Sequence, residues 1–167
     1  LSFIINFSKI GYAAPGIVIA IGVISPLIFV DKKINQLFSY FGKDIGLILS
    51  GSITILIFAY LVRFLSVAFN PIESGLEKVS EKIDYSALNL GANKQTLLFK
   101  IHLPMISSFC LIAFLLIFID ILKELPITLI LRPFNYNTLS VLTFEYASSE
   151  QLAQAALPSL LITIIGL

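Results

Sequence analysis

Residues Gly46–Val62 read GLILSGSITILIFAYLV, seventeen positions without one charge. Continued through Arg63 to Phe69, the run exceeds the ~20 residues that a helix needs to cross a bilayer. Asp44 precedes it and Asn70-Pro71 follows it, a punctuation that bounds a span. Two further runs have the same character. Pro104–Leu122 (PMISSFCLIAFLLIFIDIL) is apolar except for Asp120, and Tyr12–Val30 (YAAPGIVIAIGVISPLIFV) carries no charge. The latter contains Pro15, Gly16, Gly22 and Pro26, residues tolerated in membrane helices where neighbours re-satisfy the backbone and where small side chains let helices approach. Ala153–Leu167 (AQAALPSLLITIIGL) reads as a fourth, truncated span, and Leu1–Ile10 as the end of an earlier helix. The expected spans are about 12–30, 45–69, 104–122 and 153–167, with a polar loop at 70–103.

Composition agrees. Of 167 residues, 57% are hydrophobic and 13% charged, and the mean hydropathy is +0.97. A soluble domain carries roughly 25% charge, so too little polar surface remains here to cover a globule. A soluble enzyme and a disordered tail are excluded on that ground. A net charge of +1 leaves no basic surplus for nucleic acid. Cys110 is the sole cysteine and His102 the sole histidine, which leaves no internal disulfide and no multi-cysteine metal site. The fold class is all-α, a polytopic transmembrane helical bundle. The chain starts at Leu1 and stops inside an apolar run, so it is expected to be a piece of a longer polypeptide with no signal peptide to read.

Nine of the 21 charged residues lie between Arg63 and Lys100. Even so, charge does not orient the chain. Lys9, Arg63, Lys78, Lys82, Lys94 and Lys100 fall on one side, and Lys32, Lys33, Lys43, Lys123 and Arg132 on the other. Within the polar segment, Asn70-Pro71 reads as a helix start. Ile72, Leu76, Val79 and Ile83 then mark one apolar face. Asp84 is expected to cap a second helix over Tyr85–Leu90, Gly91 to close it in a left-handed conformation, and Asn93 to cap a third turn bearing Leu97, Leu98 and Ile101. Pro104 opens the next span. Three readings fit this pattern: a loop shielding helix ends, an amphipathic segment on the membrane, or a docking surface for a soluble partner.

Ala87, Gly91, Ile101, Leu103 and Pro104 also stand at the spacings of a known signature, E-A-A, three residues, G, nine residues, I-x-L-P, with Tyr85 and Ser86 in its first two places. The segment thus resembles the cytoplasmic loop of permease subunits in bacterial binding-protein-dependent ABC importers, the MetI-like transmembrane family. Lys123–Asn135 (KELPITLILRPFN), Asn137–Ser140, Glu145–Glu150 and Ala155–Pro158 resemble the ferric-iron permeases of that family, as does the Ala-x-Pro-Gly pattern in Tyr12–Gly22. The resemblance covers nearly the whole chain and implies most of one half of a two-half permease, the C-terminal one. It implies a bacterial inner-membrane, multi-pass location and alternating access. It implies three protein partners: a periplasmic solute-binding protein, a cytoplasmic ATP-binding subunit and the remaining permease half. The loop would be a coupling helix, with Tyr85, Ser86, Ala87, Gly91, Ile101, Leu103 and Pro104 as its coupling residues, which places 70–103 in the cytoplasm.

The chain has no G-x-x-x-x-G-K-[S/T] phosphate loop, and Gly42-Lys43 is an isolated dipeptide. It is therefore expected to be no enzyme and to hold no cofactor or metal of its own, with ATP and Mg on the partner ATPase. Asp120, Lys123 and Glu124 are spaced to share one helix face. They read either as a local ion pair at a helix end, with Lys123 reaching the interface, or as groups lining a pathway or gate, because ionisable groups at membrane depth are costly. Arg63 is expected at a helix–helix interface or the cytoplasmic boundary. Phe134, Tyr136 and Tyr146 are expected as interfacial aromatics, His102 at the surface of the loop, and Cys110 in packing. The alternative within transporters is a permease for thiamine, a polyamine or sulfate. A membrane-embedded enzyme lacks converging acid–base groups, and a structural anchor has no reason to space Gly91 and I-x-L-P in this way.

Overall fold

Four glycine and serine positions decide where the uncharged run from Gly46 becomes helical. Gly46 takes φ +69°, and the chain through Ser50, Gly51 and Ser52 turns before the helix begins at Ile53. The structure is a computed structural model and describes residues 12–42, 45–46 and 48–167. Leu1–Ile10, Lys43 and Asp44 lie outside the described residues. The helices are α1 Gly16–Ser39, α2 Ile53–Glu77, α3 Glu81–Asn89, α4 Lys94–Met105, α5 Ser107–Leu122, α6 Pro126–Leu131, α7 Leu139–Ser148 and α8 Leu152–Gly166, and the described residues form no strand. The chain is all-α.

Among the described residues α2 is the one single helix that is long and apolar enough, by length and composition, to cross a membrane. Helices α4 and α5 meet that test together, with a bend of 68° between them. Asp31, Lys32 and Lys33 interrupt the apolar run of α1.

The apolar core lies where α1, α2 and α6 meet. Ile19, Ala20 and Val23 of α1 pack with Ile55, Leu56 and Ala59 of α2 and with Ile127 and Leu131 of α6. Helices α2 and α5 pair along their length at close range, because Gly75 seats the Phe109 ring. A Cβ on Gly75 would stand 2.8 Å from Phe109 Cγ. Helices α7 and α8 form a hairpin that touches α5. Outside these contacts the helices remain apolar. Ile17, Val18, Ile21 and Phe29 on α1, Ile57, Phe58 and Leu61 on α2, and Leu111, Phe114 and Phe118 on α5 are all exposed. A surface of that extent belongs against lipid or other helices rather than water.

One buried carboxylate ties the α1–α2 connection. Asp31, 1% exposed, accepts hydrogen bonds from the Leu49 N–H (2.9 Å), the Ser50 N–H (2.7 Å) and the Ser50 hydroxyl (2.7 Å). Burial pushes its pKa up, but these bonds outweigh burial and hold it below the usual carboxylate value.

Two sequence expectations for helix starts do not hold. Asn70-Pro71 opens no helix, since α2 runs on through Pro71 to Glu77. The missing Pro71 N–H leaves the Val67 carbonyl without its helical donor. Both residues line an open cleft between α2 and α5, so that group is not sealed in apolar packing. Asp84 caps nothing either. Helix α3 starts one turn earlier with Ser80 as its cap, whose hydroxyl accepts from Lys82 N–H.

Candidate functional site

The segment between α2 and α5 forms two arms around a tight turn. Helix α3 ends in a doubly bonded closure, with Gly91 N–H donating to Leu88 O and Ala92 N–H to Ala87 O, both at 3.0 Å. That pairing requires a left-handed residue, and Gly91 supplies it at φ +82°. Asn93 caps the second arm, its side chain accepting from Thr96 N–H at 2.7 Å. Both expectations hold.

Within α4, Leu97–His102 is wound as a π-helix, and Leu103 N–H reaches back five residues to Leu98 O. A proline ring clashes with the carbonyl four residues before it in an α-helix. Pro104 stands where that clash is avoided: Ile101 and His102 close the wide turn, and Leu103 and Pro104 open the short α-helical turn Leu103–Met105 that follows it, a first-turn position that tolerates proline. The 68° bend comes immediately afterwards, at Ile106.

The seven residues of the loop signature divide by exposure. Ala87 is buried and Ile101 half-buried. Tyr85, Ser86, Gly91, Leu103 and Pro104 are exposed. Tyr85 at 64% and Leu88 at 48%, with Leu90 beyond them at 89%, give α3 an uncovered apolar edge. His102 is not a free surface residue. Its Nε2 lies 2.7 Å from Asp84 Oδ1, a bond from the second arm to the first. Their separation of eighteen residues follows no helical spacing, so nothing in the sequence points to the pair.

The second candidate group is split by the structure. Asp120 and Lys123 pair at 2.8 Å. Glu124 does not share their face, because α5 stops at Leu122, whose carbonyl can receive no N–H from Pro126 four residues on. Glu124 is 6% exposed and turns to Arg63, with Oε2 3.4 Å from Arg63 Nε. Arg63 thus lies at a helix–helix interface, one of the two places expected for it. Its Nε and Nη1 are buried with no hydrogen-bond acceptor among the described residues. Gly16 leaves room for this pair, since a Cβ there would stand 2.5 Å from Arg63 Nη1 and 2.9 Å from Glu124 Oε1.

The same break exposes backbone that must be satisfied locally. Glu124 O accepts from the Thr128 and Ser140 hydroxyls, each at 2.9 Å, and Ile127 N–H donates to Glu124 Oε1 at 3.2 Å. The Tyr60 hydroxyl bonds to Thr128. Asp120 opens instead onto the α2–α5 cleft, about 630 Å³, which Ser66, Asn70, Ser74 and Tyr12 also line. At the far end of α6, Arg132 pairs with Glu145 at 2.5 Å and bonds to Asn137, beneath a fully exposed Phe134. No group of three His, Cys, Asp or Glu that could hold a metal occurs among the described residues.

A helical domain with an apolar exterior and an interrupted helix whose backbone is satisfied by side chains fits an environment of lipid and neighbouring helices. The chain belongs to the family of binding-protein-dependent transport system inner membrane components, which it matches over residues 2–167. Members of that family are inner membrane components of transport systems. Among curated proteins the chain is similar to the Fe(3+)-transport system permease protein FbpB 2 of Haemophilus influenzae (strain ATCC 51907 / DSM 11121 / KW20 / Rd), 29% identical over 155 residues. That alignment covers 93% of this chain and 28% of the relative's length. No solved structure matches the chain.

Proposed function

We propose that this chain is part of the multi-pass permease of an ATP-driven importer, which passes ferric iron from a periplasmic binding protein to the cytoplasm by alternating access. The spans are about 12–30, 45–69, 104–122 and 153–167, and 70–103 is the cytoplasmic coupling loop. The ATP-binding subunit supplies ATP and Mg. This chain supplies the coupling residues Tyr85, Ser86, Ala87, Gly91, Ile101, Leu103 and Pro104. Asp120 and Lys123 border the pathway, and Glu124 braces it from behind through Arg63.

The observation that carries the reading is the apolar edge of α3. Tyr85 and Leu88 project from a helix whose end is fixed by the Gly91 turn and whose buried side is Ala87. Exposed apolar side chains beside the charged residues of this loop form a surface suited to a protein partner. Iron as the solute rests on the likeness to the Fe(3+) permease.

The test uses the intact permease expressed with its ATP-binding subunit and reconstituted in vesicles with the binding protein. Tyr85→Asp together with Leu88→Asp is expected to leave membrane insertion intact and to lower ATPase copurification about tenfold or more, the scale of losing a buried anchor. Full copurification would overturn the docking role. Uptake of radioactive ferric iron is the expected transport signal, and uptake of thiamine, a polyamine or sulfate in its place would overturn the iron assignment alone.

A further inference from the structure

Docking alone does not move a membrane helix. Force applied at α3 must reach α5, and the two are joined in sequence through a glycine turn and a π-helical stretch. Gly91 is the softest link, because a residue without Cβ has the widest backbone freedom. No atom lies within 4 Å of the position its Cβ would take, so no packing stiffens the turn from that side. The wide turn at Leu97–His102 is a second interruption of the lever. Left to these two links, α3 could swing without moving α5.

The His102–Asp84 bond spans both. Asp84 lies in the opening turns of α3, and His102 closes the π-helical stretch, one turn before the bend into α5. The imidazole Nε2–H donates to the Asp84 carboxylate at 2.7 Å. Both side chains are largely shielded, at 18% and 32% exposure, so water competes weakly for the bond. Neither residue belongs to the apolar edge of α3.

We propose that Asp84 and His102 are positioning residues that clip the two arms of the loop into one rigid lever, so that displacement of α3 is delivered to α4 and α5. The inference rests on the coupling role proposed for the loop. The clip acts on transmission and not on docking.

The intact permease with its ATP-binding subunit and binding protein, reconstituted in vesicles, tests this through solute moved per ATP hydrolysed. His102→Ala and Asp84→Ala are each expected to lower that ratio about fivefold, the scale of one shielded hydrogen bond. ATPase copurification should stay unchanged. The double variant should fall no further than the worse single, because both remove the same bond. His102→Gln keeps a donor near the Nε2 position and is expected to stay within about twofold of the unaltered protein. A double variant in which the single losses multiply, a Gln variant as poor as Ala, or full coupling in His102→Ala would overturn the clip. Loss of the ATPase in His102→Ala would make the pair a docking element and overturn it as well. If the ATPase does not copurify with the unaltered protein, the coupling role itself fails, and the clip with it.

Discussion

At Gly91 the cost of substitution is conformational and nothing else, because open space surrounds the position of a Cβ while φ stands at +82°. A left-handed conformation costs an L-residue about 1–2 kcal/mol, and asparagine tolerates it better than a branched residue. Gly91→Val is therefore expected to insert normally, to loosen the end of α3 and to lower ATPase copurification. Gly91→Asn should stay near the unaltered protein. Equal behaviour of the two variants in a pull-down would refute the backbone explanation. Asp31 makes a different kind of residue-scale claim. Its pKa is lowered in the folded state, so its contribution is present above the unfolded value near 3.8 and is lost as pH falls through the lower folded value. Asp31→Asn keeps one acceptor oxygen in place of a charged pair. At neutral pH it should lose about 1.5–3 kcal/mol, the worth of a hydrogen bond to a charged group. The difference from the unaltered protein should shrink below pH 4 in thermal unfolding in detergent. Gly91 and Asn93 were legible because their roles depend on immediate neighbours. Asp31 and His102 were not, because their partners lie eighteen or nineteen residues away and are fixed by how helices meet.

At the scale of elements, the apolar runs forecast where helices lie, while packing and proline chemistry moved their ends. The run from 45 becomes helical only at Ile53, because Asp31 takes the Leu49 and Ser50 amides into a turn. Pro71 stays inside α2 beside a cleft, and Pro104 stands just past a widened turn. Spacing alone put Glu124 on the face of Asp120 and Lys123, but an end to α5 that depends on Pro126 turned it to Arg63. Two predictions belong to these junctions. Gly75→Leu drives a side chain into Phe109 and should cost about 1–3 kcal/mol, the usual price of overpacking. Phe109→Ala in the same protein should recover part of that loss, and no recovery in unfolding measurements would show that Gly75 matters for another reason. Removing one member of a buried pair leaves an uncompensated charge, at about 3–5 kcal/mol. Glu124→Leu should therefore be more damaging than Arg63→Met with Glu124→Leu. The reverse order of stabilities would mean that the Arg63 charge is met by something other than Glu124.

Across the whole molecule, the path of the helices constrains sidedness where the lysine and arginine counts do not. Helix α2 runs from Ile53, beside the core, to Glu77, where the loop begins. The return path is discontinuous. Sixteen residues of α5 reach only about 24 Å at 1.5 Å per residue, short of the ~30 Å hydrocarbon core. The remainder falls to α6, whose Ile127 and Leu131 pack with Ile55 and Leu56 in the first turn of α2. Such a break is tolerable in lipid only where its backbone is satisfied, and the Thr128 and Ser140 hydroxyls on Glu124 O meet that condition. The turn after α6, with Phe134 at its tip, should therefore emerge on the side opposite to the α3 loop. In the intact permease carrying Cys110→Ser, a cysteine placed at Leu90 should react with a membrane-impermeant maleimide only from the cytoplasmic face, and one placed at Phe134 only from the periplasmic face. Both positions are exposed, at 89% and 102%, so reactivity reads sidedness and not burial. Labelling of both from one face would make α5 and α6 a re-entrant pair that turns back within the bilayer. The α2–α5 cleft bordered by Asp120 would then be closed off from one side and could not serve as a through pathway.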